Sequence, residues 1–220
     1  MKVVRATLTA LALTLAGGAA FVALAGAESL ALGDALPKAD QRMQNVDGKS
    51  LTLAQAKGEK GTLVVFTCNG CPWVKRWEGR MVELGNRFVK DGVGVVFVNS
   101  NDPSVAEVDG FETMKARSRE LQMSFPYVVD ATSGLARTFG ATRTPEAFLF
   151  DAKGRLVYHG TIDDNAQKPE EVTNAYLADA LGALVAGKEV PVAETKALGC
   201  GIKFRSADQG ASASQPKKES

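Results

Sequence analysis

Hydrophobic residues along this chain fall into two textures, and their order predicts an α/β protein. Thr62 to Thr67 is an unbroken β-branched and aromatic run, and Val93 to Val98 is a second; such runs mark strands buried on both faces. Between them Trp73, Trp77, Met81, Leu84 and Phe88 recur at intervals of three and four, which predicts an amphipathic helix over 72–90, with Pro72 in its first turn and Asp91-Gly92 at its end. Together the three segments form a βαβ unit, parallel and right-handed. Further on, the pattern predicts a helix over 109–122, a short strand over 126–130 and a brief helix over 133–139. Ala147 to Phe150 and Leu156 to Tyr158 are strands joined by Asp151-Ala152-Lys153-Gly154, a hairpin with Gly154 placed for positive φ. A last helix is predicted over 170–186, with Val172, Tyr176, Leu177, Ala180 and Leu184 inward and Gly187 as its stop. Ahead of the first buried strand, Asp47-Gly48 between two short alternating stretches predicts an N-terminal hairpin extension that leads into Leu51-Thr52-Leu53.

The two ends read differently. Lys2 and Arg5, an apolar run from Ala6 to Ala16 and the small residues Ala25-Gly26-Ala27 have the form of a signal peptide over 1–27, cleaved before Glu28. Uncleaved, the uncharged stretch 6–27 is long enough to anchor the chain in a membrane. Cleavage places residues 28–205, one domain, outside the cytoplasm, and a bacterial-type periplasm is the expected compartment. Residues 206–220, rich in Ser, Ala, Gln and Lys, read as a disordered tail. With 26 basic and 25 acidic side chains the formal charge is +1, and loss of Lys2 and Arg5 makes it 24 against 25, or −1. Such a balance gives no electrostatic footprint for nucleic acid, nor for a membrane surface beyond the export signal.

Chemistry concentrates in Cys68-Asn69-Gly70-Cys71, between a buried strand and the first turn of a helix. A helix N-terminus offers unpaired N–H groups and partial positive charge, both of which stabilise a thiolate. Cys68 is therefore read as the attacking thiol and Cys71, two residues on, as the thiol that resolves a mixed disulfide. Lys75, Arg76 and Arg80 lower the thiol pKa if they turn toward it. Half of a zinc site is one alternative, but only Cys200 and His159 are left to complete four ligands. A static disulfide is another, with little to gain from so short a loop.

The run Val64-Val65-Phe66-Thr67-Cys68-Asn69-Gly70-Cys71-Pro72-Trp73-Val74-Lys75, with Thr144-Pro145 before the hairpin, resembles the thioredoxin-like redoxin superfamily. More narrowly it is similar to the peroxiredoxin-like proteins, related to the alkyl hydroperoxide reductase/thiol-specific antioxidant group, that carry a CNxCP motif. Asn99-Ser100-Asn101-Asp102, Tyr158-His159-Gly160 with Ile162-Asp163-Asp164-Asn165, and Glu194-Thr195-Lys196 with Gly199-Cys200 share that resemblance, which spans about residues 30–205. It implies a thioredoxin-like fold, a central mixed β-sheet flanked by helices. It further implies that Pro145 is cis and lies against the cysteines, and that Thr144 offers backbone hydrogen bonds to a bound polypeptide. Two departures stand out. The strand before the cysteines holds no carboxylate to assist the resolving thiol, and the Pro-x-x-x-Thr-x-x-Cys pattern of peroxide-reactive cysteines finds Gly61 and Val65 ahead of Cys68.

The expected function is an exported thiol–disulfide oxidoreductase with Cys68 and Cys71 catalytic and Thr144, Pro145 and Trp73 at the substrate. Its partners are a protein or small-molecule disulfide or thiol and an upstream electron donor or acceptor; neither an organic cofactor nor a metal is implied. The alternatives are a hydroperoxide reductase and a Cu(I) or other soft-metal chaperone that adds His159 or Cys200 to the pair. Other residues read two ways. Cys200 is either a third redox partner or a thiol packed by Leu198 and Ile202. His159 is a base, a copper ligand or a polar residue at a turn, Trp73 and Trp77 form a docking rim or core, and Asp163 and Asp164 are a turn or helix cap rather than a catalytic pair.

Overall fold

A computed structural model of the chain describes residues 29–206. The signal segment and residues 207–220 lie outside the described residues.

The elements follow the predicted order. They are β1 (Met43–Asn45), β2 (Ser50–Leu51), α1 (Leu53–Ala56), β3 (Gly61–Phe66), α2 (Pro72–Lys90), β4 (Val93–Asn99), α3 (Phe111–Glu120), β5 (Tyr127–Val129), α4 (Gly134–Phe139), β6 (Arg143–Thr144), β7 (Glu146–Asp151), β8 (Leu156–Gly160), α5 (Tyr176–Val185) and β9 (Cys200–Gly201). Seven strands make one sheet in the order β2-β1-β5-β4-β3-β7-β8, and β6 pairs with β9 in a small second one. β3 runs parallel to β4, β4 parallel to β5, and β3 antiparallel to β7, so the sheet is mixed as expected. The N-terminal hairpin is no appendage: β1 pairs with β5 and extends the sheet.

Alternation along β3 sorts the core onto two faces. Leu63 and Val65 face α2, α3 and α5 through Trp77, Met81, Phe88, Met114, Leu177 and Leu181. Val64 and Phe66 face α1 and α4 through Leu53, Leu135, Ala136 and Phe139. All six residues of β3 are buried, which is why its sequence is a continuous apolar run rather than an alternating one.

Three boundaries differ from the sequence reading. The segment after Asp47-Gly48 leaves the strand at Leu51, because Thr52 caps a short helix: its hydroxyl accepts from Gln55 N at 3.2 Å, and the Gln55 side chain accepts from Thr52 N at 3.0 Å. The predicted helix over 109–122 starts at Phe111, after a 3₁₀ turn over Glu107–Asp109. The last helix starts at Tyr176 instead of 170, because the Asp164 carboxylate takes the amides of Thr173 and Asn174 at 3.1 and 3.0 Å and holds that stretch out of the helix. Its inner stripe is accordingly Leu177, Ala180 and Leu181.

Candidate active site

β3 delivers Cys68 and α2 begins at Pro72, so the four-residue Cys68–Cys71 loop sits at the carboxyl end of the central strand. Cys71 is the N-cap residue of α2. Helix N–H groups and dipole therefore face Cys71 more directly than Cys68, the reverse of the order read from the sequence. Both thiols are buried, at 2% and 3% exposure, and each shifts the titration of the other. Sγ of Cys68 also lies 3.4 Å from the Thr144 hydroxyl.

The pair shares its protons unevenly. Cys71 is pulled down to about 4, first by the Cys68 S–H that donates to it, then by Cys200 and the Val74 amide, all against the opposing effect of burial. Cys68 is pushed up, first by that same bond to Cys71, then by burial and by the negative charge of Asp109. Two contacts run the other way: Sγ of Cys71 is placed to donate to the Thr144 carbonyl oxygen at 3.1 Å, a bond only the protonated thiol makes, and to Sγ of Cys200 at 2.7 Å. The opposite directions of the two shifts draw the charge of the reduced pair toward Cys71.

A buried carboxylate from outside β3 braces the loop backbone instead. Asp109, buried in the 3₁₀ turn, accepts Asn69 N at 2.6 Å and Gly70 N at 3.1 Å through Oδ1, and Asn101 Nδ2 at 2.7 Å through Oδ2. Asn69 in turn donates to the Val108 carbonyl at 2.9 Å and accepts the Tyr127 hydroxyl at 3.0 Å. Both central amides of the loop and the Asn69 side chain thus have buried partners, which braces the turn between the two cysteines. Sequence reading missed Asp109, which is joined to the loop across 40 positions and carries no local motif.

Pro145 follows a cis peptide bond, as the resemblance implied. Glu146 pins the turn before it, accepting Thr142 N and Arg143 N, each at 2.8 Å, through Oε2. The other oxygen of Glu146 is 2.8 Å from Nε2 of His159, whose ring stacks on Phe148 at 4.3 Å. His159 is thereby a half-buried strand residue with a structural partner. Among the described residues no group of three or more His, Cys, Asp or Glu side chains is placed to hold a metal ion.

Thr144 does not present a free backbone edge. It is buried and paired antiparallel with Cys200 of β9, so the chain's own C-terminal segment lies where a bound polypeptide was expected. That segment brings Sγ of Cys200 to 2.7 Å from Sγ of Cys71. Beside it, Trp73 and Leu198 line two clefts, of about 360 Å³ with Trp77 and residues 164–168, and of about 260 Å³ with Arg143 and residues 196–199. A larger cleft, about 670 Å³, lies at the far end of the sheet among Leu32, Lys60, Lys153 and Val190, away from every cysteine.

The remaining residues resolve as structure. Trp77 is core, and its Nε1 donates to the buried Asp163 at 2.7 Å, while Arg80 forms an ion pair with Asp163 and does not turn to the thiols. Asp164 caps the 173–174 stretch. Arg76 lies over the Trp73 ring, 5.4 Å from its centroid.

A mixed sheet that sets two buried thiols at a strand–helix junction, against a cis-proline turn, defines a thiol oxidoreductase of thioredoxin-like fold. The chain belongs to the AhpC/TSA family, whose sequence profile matches residues 32–159. It is similar to a hypothetical protein of Sinorhizobium meliloti of known structure, with 32% identity, a TM-score of 0.75, and coverage of 81% of this chain and 97% of that one. A thioredoxin-like protein solved in its oxidised form shares the fold, with a TM-score of 0.55 at 21% identity over 72% of this chain and 97% of the other. Among curated relatives, the thiol-disulfide oxidoreductase ResA of Halalkalibacterium halodurans is 26% identical over 129 residues, which is 59% of this chain and 69% of that protein.

Proposed function

We propose that this protein is an exported thiol–disulfide oxidoreductase that cycles Cys68 and Cys71 between dithiol and disulfide. The observation that carries the reading is the placement of two buried thiols at the N-terminus of α2, both in contact with Thr144 before the cis-proline. A thiolate already held by a neighbouring S–H attacks a disulfide sulfur, and the neighbour, once deprotonated, closes the intramolecular disulfide and expels the second substrate thiolate. The sequence order assigns attack to Cys68 and resolution to Cys71; the distribution of charge favours the opposite assignment, with Cys71 attacking and Cys68 resolving. Its substrate is a disulfide, or in the reverse direction a dithiol, admitted beside Trp73 and Leu198. Export rests on the pattern of residues 1–27, and N-terminal sequencing of the protein from a cell envelope fraction tests it.

Equilibration of the protein in graded glutathione buffers, acid trapping of free thiols and mass spectrometry test the redox reading. A reversible two-electron transition at Cys68 and Cys71 supports it, and a pair that never forms a disulfide sinks it. Alkylation before oxidation decides the order, since the sulfur labelled first at pH 6 is the attacking one. Hydroperoxide serves as the control substrate: consumption faster than by free cysteine would redirect the reading to a peroxidase.

A further inference from the structure

We propose that Cys200 is a third redox thiol of this site, which exchanges with Cys68 for the disulfide to Cys71. The inference rests on the oxidoreductase reading above but not on which of the two loop cysteines attacks first. Three observations carry it: the sulfur contact, the way β9 is seated, and the difference in exposure.

The seating is close and specific. β9 lies along Thr144 with Cys200 opposite it in register. Gly199 packs so tightly on the Thr144–Pro145 peptide that a Cβ there would stand 2.2 Å from the Thr144 carbonyl oxygen and 2.7 Å from its carbon. No side chain fits between the segment and the turn. The flanks are tied as well: Thr195 N donates to His159 O at 2.9 Å, Ile202 N to Thr142 O at 3.0 Å, Asp102 N to Lys203 O at 2.7 Å, and Arg205 N to Ser133 Oγ at 2.9 Å. The segment thereby presents its own cysteine to Cys71 in the place where a substrate chain would present one. Cys68 and Cys71 are buried, whereas Cys200 is partly exposed beside the two Trp73 clefts.

The exchange balances without any external reagent. Starting from the Cys68–Cys71 disulfide, the Cys200 thiol loses its proton and attacks Sγ of Cys71. The Cys71–Cys200 bond forms, the Cys68–Cys71 bond breaks, and its electron pair and the proton go to Cys68. The oxidising equivalent is unchanged in number and has moved outward. A dithiol reductant then attacks Sγ of Cys200, leaves as its own disulfide, and returns all three cysteines to thiols.

Trypsin separates the outcomes cleanly, because Cys68 and Cys71 share the peptide 61–75 and Cys200 lies in 197–203. The full chain is oxidised in glutathione buffer, trapped with N-ethylmaleimide at acid pH and digested without reduction. The expected result is a fraction of the two peptides cross-linked with Cys68 alkylated, and retention of that cross-link in Cys68→Ser. In Gly199→Ala the cross-link is lost while the loop-linked 61–75 peptide persists. Dithiothreitol reduces the oxidised Cys200→Ser variant about tenfold more slowly than the parent, because its disulfide stays buried. A loop-linked peptide with no cross-link in the parent and none in Cys68→Ser overturns the inference and leaves the oxidoreductase reading standing. Absence of the loop-linked peptide even in Cys200→Ser overturns that reading too.

Discussion

Two regions of this molecule sit on the same strand and are built on opposite terms. Phe66, at the end of β3, belongs to an apolar cluster with Phe139, Phe148 and Phe150, with edge-to-face neighbours at centroid distances of 5.2 to 5.9 Å. Two residues later the chain enters a buried polar apex of Asn69, Asn99, Asn101, Asp109 and Tyr127 around the cysteines. The first region holds the fold by non-directional packing, in which the loss of one ring is felt through volume. In the second, each group has a named partner, and the loss of one orphans another. Stability and chemistry are therefore separable here although they are adjacent in sequence.

Breaking that comparison from the packing side gives the largest effect. Phe139→Ala should cost about 4 kcal/mol in urea unfolding while the alkylation order of the cysteines stays as in the parent; a changed order would show that the two regions are coupled. From the polar side, Asp109→Ala should cost about 2–3 kcal/mol by leaving the Asn69 and Gly70 amides without an acceptor. It should also alter redox behaviour, which Phe139→Ala does not. Trp77→Phe, in the core on the other face of the sheet, removes one hydrogen bond to Asp163, about 1.5 kcal/mol by thermal melting.

Smaller effects sharpen the electrostatics. Asp109→Asn keeps an oxygen for the two amides and deletes the charge that raises Cys68, so the alkylation profile of Cys68 should move to lower pH. With Cys71 pulled down to about 4, its labelling rate should be flat from pH 6 to 8 and fall only as pH drops toward that value. A labelling rate for Cys71 that climbs tenfold per unit through that range, as for an ordinary thiol, would refute the charge assignment.

What the sequence made legible followed from local pattern. The continuous run at 62–67, the three-and-four spacing of the helix at 72–90 and the Gly154 hairpin each depend on neighbours within a turn or a strand, and each stands in the structure. The cis bond before Pro145 came from resemblance alone. Asp109 was invisible because a carboxylate that serves a loop 40 residues away carries no sequence period of its own. The start of α5 was misplaced because Asp164, a residue outside the helix, decides which amides are free to join it. Thr144 was expected to be open for the same reason: only the folded chain shows that β9 already pairs with it.

The distance along the chain between Cys71 and Cys200, 129 positions, has a consequence for the order of assembly. During synthesis the strand, helix and cysteine loop emerge long before the segment that covers them. A growing chain thus has one possible intramolecular disulfide, and the competing partner arrives only when nearly all of the domain has been made. Proteolysis that removes residues after 193 would return the site to that earlier condition, with Thr144 uncovered and the two loop cysteines left to each other.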